Sequence, residues 1–363
     1  MITITLCMIV KNEEDTLNRC LKSVGDIVDE IIIVDTGSTD RTKEIASKWT
    51  PHIFNFTWIH DFSAARKFSF EKATMDYILW LDADDVLLAD DHDKLTLLKQ
   101  SMSPELDAVS MQYHCDFDDY GNVTLNVRRT RLVKRSKNYQ WEGAVHEDLV
   151  IKNGNFDNSD IVVSHRKNYI TSDPDRNIKI YENLLAKGHE FTSRDMLHFA
   201  MELHKHESYP KAIEFYLKFM DMDNITVEDH IYCCSKLADC YYHLMDREKE
   251  LEFIFKTFEC DTPRPEFCCR LGYFFLEKSQ FVQAAFWYKL ATNLPLPSSS
   301  WVIQNDASRT WLPHMQLGLC FYHIGKYELS YYHNKIALSY HPNDQNIISN
   351  MDLLEELIKT NNI

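Results

Sequence analysis

The stretch Tyr77-Ile78-Leu79-Trp80-Leu81-Asp82-Ala83-Asp84-Asp85 decides how the first half of this sequence folds. Five apolar or aromatic residues follow one another without a break, as in a strand buried on both faces. The run then stops in three carboxylates within four positions, Asp82, Asp84 and Asp85. A strand end has no structural need for so much negative charge, so the cluster points to a bound partner. A solvated strand exit with capping aspartates is the alternative reading of the stretch taken alone.

Working outward, three earlier runs share this apolar, β-rich character: Ile2 to Val10, Ile31 to Val34 closed by Asp35, and His52 to Phe56. Helical stretches separate them. Leu17, Cys20, Leu21 and Val24 recur at helical spacing, Thr36 to Asp40 is turn chemistry that caps the helix from Arg41 to Trp49, and a third helix is expected over Phe62 to Ala73. Such alternation implies a mostly parallel sheet between helices. Ligands of such sheets bind beyond the carboxyl ends of the strands. Lys11, Asn12 and Glu13, then Asp35, then Asp82 and Asp84 gather at those ends. Neither GxGxxG nor GxxxxGK[ST] occurs, so a bound phosphate needs another means of neutralisation. An Asp-x-Asp pair can hold a divalent cation that bridges two phosphates.

A length of 363 residues suggests two domains, and 45% hydrophobic with 26% charged residues is an ordinary globular balance. A net charge of -16 argues against nucleic acid or anionic lipid as partner. It leaves room for an anionic small ligand, because a metal ion reverses the local sign. The N-terminal apolar run lacks a basic leader and a small-residue cleavage site, and no run reaches the roughly 18 apolar residues of a membrane span. A cytoplasmic protein is expected. The ten cysteines form no CxxC and fall largely in apolar periodic segments, so buried reduced thiols are expected rather than zinc or disulfides.

Four motifs carry a family resemblance: Met8-Ile9-Val10-Lys11-Asn12-Glu13, Val34-Asp35-Thr36-Gly37-Ser38-Thr39-Asp40, Asp61-Phe62-Ser63-Ala64-Ala65-Arg66 and Leu81-Asp82-Ala83-Asp84. In this order they resemble family-2 glycosyltransferases of the GT-A fold, and the whole chain is similar to the bacterial subgroup with a tetratricopeptide-repeat tail. The resemblance implies an inverting transferase that uses a nucleotide-diphosphate sugar, such as UDP-glucose or UDP-GlcNAc, with Mg²⁺ or Mn²⁺. Carried over, Asp35 would bind the uridine ribose or base, and Asp61 and Arg66 would line the nucleotide pocket. Val10, Asn12, Glu13 and Ala83 would lie beside the nucleotide, Asp82 would face ribose or sugar, and Asp84 would bind the metal. Asp61 suits a helix cap equally well. Lys67 stands where the family usually has Asn, and Asp85 has no settled role.

Inverting transfer is a single displacement, so the acceptor must lose a proton to a base on its own side. Trp141-Glu142-Gly143-Ala144-Val145-His146-Glu147 resembles the family's Trp-x-Gly-x-Val-His-Glu. Glu147 is the expected base, ahead of Asp148 and then Glu142, although three acids there would also suit a helix start. Trp141 would wall the pocket or fill the core. His165, just past the strand Ile161 to Val163, would be a further metal ligand or an edge histidine. Of the basic cluster Arg128, Arg129, Arg131, Lys134 and Arg135, Arg131 fits a diphosphate contact best.

From about Arg176 only helical periodicity remains. Ala200, Leu203, Tyr209, Ala212 and Tyr216 align with Ala238, Tyr241, Arg247, Leu251 and Phe255. They align in turn with Gly272, Phe275, Phe281, Ala284 and Tyr288, and with Gly318, Phe321, Tyr327, Ser330 and Asn334. Ala238 to Gly272 is a step of 34 residues, the tetratricopeptide period. The small first residue lets two helices approach and the aromatic positions fill the groove between them. Leu294 to Trp301 would break the array, and Asp173-Pro174-Asp175 would be the hinge into it. His198, His204, His206 and His230 are expected at exposed polar positions.

The expectation is thus an α/β GT-A catalytic domain over 1–172, a linker helix over 173–194, and an all-α solenoid of TPR-like repeats over 195–363. The solenoid would dock a protein or peptide acceptor, or cover or dimerise the catalytic domain. A cell-envelope glycan or lipid-linked sugar is the alternative acceptor, and a non-catalytic scaffold the alternative function.

Overall fold

Strands that are apolar on both faces must be covered on both, and the first half solves this with one sheet between helices. The structure, a computed structural model, describes residues 1–151, 154–166, 173–223, 225–295 and 306–361. The strands are β1 (Ile4–Val10), β2 (Glu30–Asp35), β3 (Ile53–Asn55), β4 (Tyr77–Trp80), β5 (Asp85–Val86), β6 (Ala108–Phe117), β7 (Val123–Lys134), β8 (Gln140–Glu142), β9 (Asp148–Val150) and β10 (Phe156–His165). The helices of this half are α1 (Leu17–Lys22), α2 (Thr42–Ala46), α3 (Phe62–Lys72) and α4 (Ala89–Ser101).

Eight strands form the sheet in the order β3-β2-β1-β4-β7-β6-β10-β5, and β8 pairs with β9 apart from it. The pairs β1–β2, β2–β3, β1–β4 and β6–β10 are parallel. The pairs β4–β7 and β5–β10 are antiparallel. The period of two along a strand divides the core into two layers. Leu6, Met8 and Val10 join Leu17, Leu21 and Leu79 on one face. Cys7 joins Ile32, Val34, Trp80 and Trp141 on the other.

The second half is helical: α5 (Arg176–Ala186), α6 (Ser193–Lys205), α7 (Tyr209–Met220), α8 (Val227–His243), α9 (Arg247–Cys260), α10 (Pro265–Glu277), α11 (Phe281–Asn293), α12 (Trp311–His323), α13 (Tyr327–Tyr340) and α14 (Gln345–Asn361). Successive helices pair as α8–α9, α10–α11 and α12–α13. The small residues act as expected: a Cβ on Gly272 would meet the Tyr288 ring at 2.8 Å. The second repeat corrects the alignment. Helices α7, α9, α11 and α13 begin at equivalent positions, and each buries its fourth and eighth residues: Ala212 and Tyr216, Glu250 and Ile254, Ala284 and Tyr288, Ser330 and Asn334. Leu251 and Phe255 were one position late, and Phe255 is exposed. The slip has a physical origin. Glu250 is a buried acid paired with Arg247 at 2.7 Å and Arg270 at 3.2 Å, and it does not look like a groove residue. The expected break at Leu294 to Trp301 falls mostly outside the described residues.

Two compact units result, one of residues 1–115 and 127–219, the other of 116–126 and the chain from 220 onward. All ten cysteines are free, and only Cys115 and Cys260 are less than buried. No described helix is long and apolar enough to cross a membrane. The four histidines expected at exposed positions are instead all half-buried.

Candidate active site

The parallel register brings the ends of β1 and β2 level, Val10 beside Asp35. The first unit opens there into a cavity of about 440 Å³, within the size range of small-molecule sites. Val10, Asn12, Glu13, Arg66, Asp82, Ala83, Asp84, Arg131, Glu147 and His165 all line it. Asp35, Asp61 and Trp141 do not. Asp35 is buried, where it accepts from Gly37 N and Ser38 N and pairs with Lys43 at 3.1 Å. Gly37, at φ +106°, supplies the left-handed turn that this closure requires. Asp61 caps α3 by accepting from Ala64 N at 3.0 Å. Trp141 packs edge-on to Trp80, with ring centroids 4.9 Å apart. Lys67 is exposed and outside the cavity.

The acidic cluster separates into distinct tasks. Asp85 is fully buried; its Oδ2 accepts from Asp82 N at 3.0 Å and pairs with Arg131 at 3.1 Å. Its Oδ1 is buried and lies 3.5 Å from His165 Nδ1. Because β5 runs antiparallel to β10, His165 stands opposite Asp85. The ligand atoms of Asp84, Asp85 and His165 lie within 4.8 Å of one another. His165 Nδ1 is 3.4 Å from Asp84 and 3.0 Å from the Tyr113 hydroxyl. Burial, with the charges of Asp82 and Asp85, pushes the Asp84 carboxyl up to about 6 against the lowering pull of His165. Burial also disfavours the charged form of His165, yet the hydrogen bond to Asp85 and the surrounding carboxylates hold its pKa above the ordinary value. An oxygen-rich set with one imidazole and crowded negative charge fits a hard divalent cation. Asp84, Asp85 and His165 would hold it.

Arg66 organises the opposite side. It is buried, with Nε donating to Glu147 Oε1 and Nη2 to Asp82 Oδ1 at 2.7 Å. Its guanidinium lies over Trp80 at 4.7 Å and Trp141 at 5.0 Å. Burial works against each charge, but the pairing wins: Asp82 is held below its usual range, and Arg66 above its own. Of the three acids considered as base, only Glu147 lines the cavity. Asp148 turns toward Arg194 at 3.6 Å, and Glu142 is exposed.

Several lining residues were not singled out from the sequence. Arg129 was left undecided within its cluster, yet it is two positions from Arg131 on β7 and so on the same face. Tyr113, which lies under Arg131 at 4.5 Å, carried no local signal. The same is true of Arg176 and Asn177 from α5. Asp173 and Pro174, expected as a hinge, form part of the wall.

A mostly parallel sheet between helices, with its pocket beyond the carboxyl ends of the strands, defines a class, the ligand-binding α/β domains. Within that class, residues 5–151 match the family described as Glycosyl transferase family 2. The chain is 37% identical over 147 residues to a TPR repeat-containing protein of Synechococcus elongatus, a match over 40% of this chain and 35% of that one. It is 28% identical over 291 residues to the SPbeta prophage-derived glycosyltransferase SunS of Bacillus subtilis, over 75% of this chain and 65% of the relative. The matches thus span about one third to two thirds of these relatives' lengths. Among solved structures, the C-terminal part of a TPR repeat-containing protein from Cytophaga hutchinsonii aligns with TM-score 0.41 and 15% identity, over 52% of this chain and 67% of that one.

Proposed function

We propose that this chain is a metal-dependent, inverting glycosyltransferase of the GT-A type. Its donor would be a nucleotide-diphosphate sugar of the UDP-glucose or UDP-GlcNAc kind, and its acceptor a protein or peptide docked on the helical repeats. One observation carries the reading: the cation-fitting cluster Asp84, Asp85 and His165 shares a single cavity with the Arg66–Asp82–Glu147 chain.

In this reading Asp84, Asp85 and His165 hold Mg²⁺ or Mn²⁺. When bound, such an ion neutralises the diphosphate and the charge that develops on the leaving nucleotide. Val10, Asn12, Glu13 and Ala83 border the nucleotide, and Arg131, with Arg129 beside it, faces the phosphates. Asp82, fixed by Arg66, faces the sugar. The acceptor approaches from the wall that carries His146 and Glu147, and its proton leaves on that side.

The test is hydrolysis of a panel of nucleotide sugars with Mn²⁺. At least one donor should turn over, and Asp84→Ala should abolish that turnover. If no donor is hydrolysed under any metal, the enzyme reading fails. Labelled donor added to cell lysate then separates the acceptors, with label in protein supporting the repeat-docked substrate and label in lipid refuting it.

A further inference from the structure

His146 was not singled out from the sequence, yet it lines the cavity and is held from several sides. Its backbone is left-handed, at φ +53°. Its Nε2 bonds Glu202 Oε1 of α6 at 2.8 Å, and its ring stacks on His198 with centroids 4.6 Å apart. Arg194 donates to its carbonyl oxygen. Glu202 is itself buried and fixed, since the same oxygen accepts from Asn177 at 3.0 Å and the other oxygen is buried with no partner. A carboxylate on one ring nitrogen sets the tautomer and leaves the other nitrogen as acceptor. Nδ1 of His146 makes no hydrogen bond among the described residues. Glu147, one residue on, is bound to the Arg66 guanidinium. A proton placed there would break a buried ion pair, whereas a proton placed on His146 would create one with Glu202.

We propose that His146, oriented by Glu202, takes the acceptor's proton, while Glu147 acts by holding Arg66 and Asp82 in place. This rests on the transferase reading above. As the acceptor oxygen or sulfur forms its bond to the anomeric carbon, its hydrogen passes to Nδ1. The bond from the anomeric carbon to the β-phosphate oxygen breaks, and its electron pair leaves with the nucleoside diphosphate. The imidazolium so formed is paired with the Glu202 carboxylate. Asn177, Arg194, His198 and Glu202 all lie beyond the family 2 segment, so helices α5 and α6 complete the acceptor side.

The experiment measures hydrolysis of UDP-glucose or UDP-GlcNAc with Mn²⁺, water being the acceptor, in wild type, His146→Gly and Glu202→Gln. Glycine accepts the left-handed backbone at position 146 and leaves room for free imidazole. His146→Gly should lower kcat by about a hundredfold with donor KM unchanged. Added imidazole should restore at least about a tenth of the lost rate in that variant, and none in wild type. Glu202→Gln, which keeps the shape and removes the charge, should lower kcat by about tenfold. Wild-type kcat in His146→Gly, or a loss that imidazole does not relieve, overturns the proposal. If His146→Gly does not fold, an unchanged kcat in Glu202→Gln overturns it alone. Wild type that hydrolyses no donor removes the transferase reading and this inference together.

Discussion

Arg66 is the residue on which the site's order depends, because one guanidinium satisfies two carboxylates on different segments. Arg66→Ala should cost about 3 kcal/mol of stability in urea titrations, since removing one partner strands buried charge. Donor turnover should fall to background in the same variant. A loss under about 0.5 kcal/mol, as for an ordinary surface change, would show that the pairing is incidental. Asp84 behaves in the opposite sense. Its folded pKa of about 6 lies above the usual carboxylate value, so the folded state holds the proton more tightly than the unfolded chain. Ionised at pH 7 it destabilises the metal-free fold, and that penalty fades as pH falls from about 6 and is gone below about 4. Asp84→Asn should therefore raise the metal-free Tm while abolishing the Mn²⁺-induced increase; a lower metal-free Tm would contradict this. The density of charge in Asp82-Ala83-Asp84-Asp85 was legible from the sequence. The division of labour was not, because it depends on β5 pairing with His165 and on a guanidinium arriving from α3.

At the scale of elements, periodicity was the readable signal. The three strand-end clusters were visible because buried runs stop abruptly in polar residues. The repeats were visible because small residues recur ahead of aromatic ones. In the second repeat Glu250 occupies a groove position through two arginine pairings that no period encodes. Gly272 tests the packing argument directly. Gly272→Ala gains helix propensity of about 1 kcal/mol. It also drives a Cβ into the rigid Tyr288 ring. Overpacking costs about 1–3 kcal/mol, so Tm should fall. A rise in Tm would mean that Tyr288 yields freely. The Trp141 to Asp148 segment was legible as a motif, but its anchoring by α5 and α6 was not, since Glu202 lies 56 residues from His146.

For the molecule as a whole, the histidines should set the response to mild acid. Burial lowers the pKa of His198, His314 and His333, that of His333 to about 4 with help from His314 and Lys289. Unfolded histidines protonate near pH 6.5 and these do not. The unfolded state thus binds more protons, and stability declines as pH drops from about 6.5 toward 4. Asp84 and Glu13, raised by burial, and His92 and His165, raised by their carboxylate partners, work in the opposite direction. His333→Gln isolates the effect: its Tm should fall less between pH 7 and pH 5 than that of wild type. Equal falls would remove His333 as a cause. The change of periodicity near Arg176 marks where helices alone follow, but the compact units divide at 219 and 220, so α5 to α7 go with the sheet, and the tip of the β6–β7 hairpin gave no sign of belonging with the later helices.

That tip has a consequence in time. Asp118 bonds His341 at 3.0 Å, Asn122 donates to the Tyr340 carbonyl, and Tyr120 stacks on His341. The Asp118–His341 pair lies 223 residues apart in the chain. During synthesis the hairpin leaves the ribosome long before its partner helix exists. At about 5–20 residues per second it waits at least about ten seconds with its polar tip unmatched. Closing so long a loop is a late, slow event. The helical unit therefore acquires these contacts only after the chain has been made through position 341, and a nascent chain stalled short of position 340 carries a hairpin without its dock.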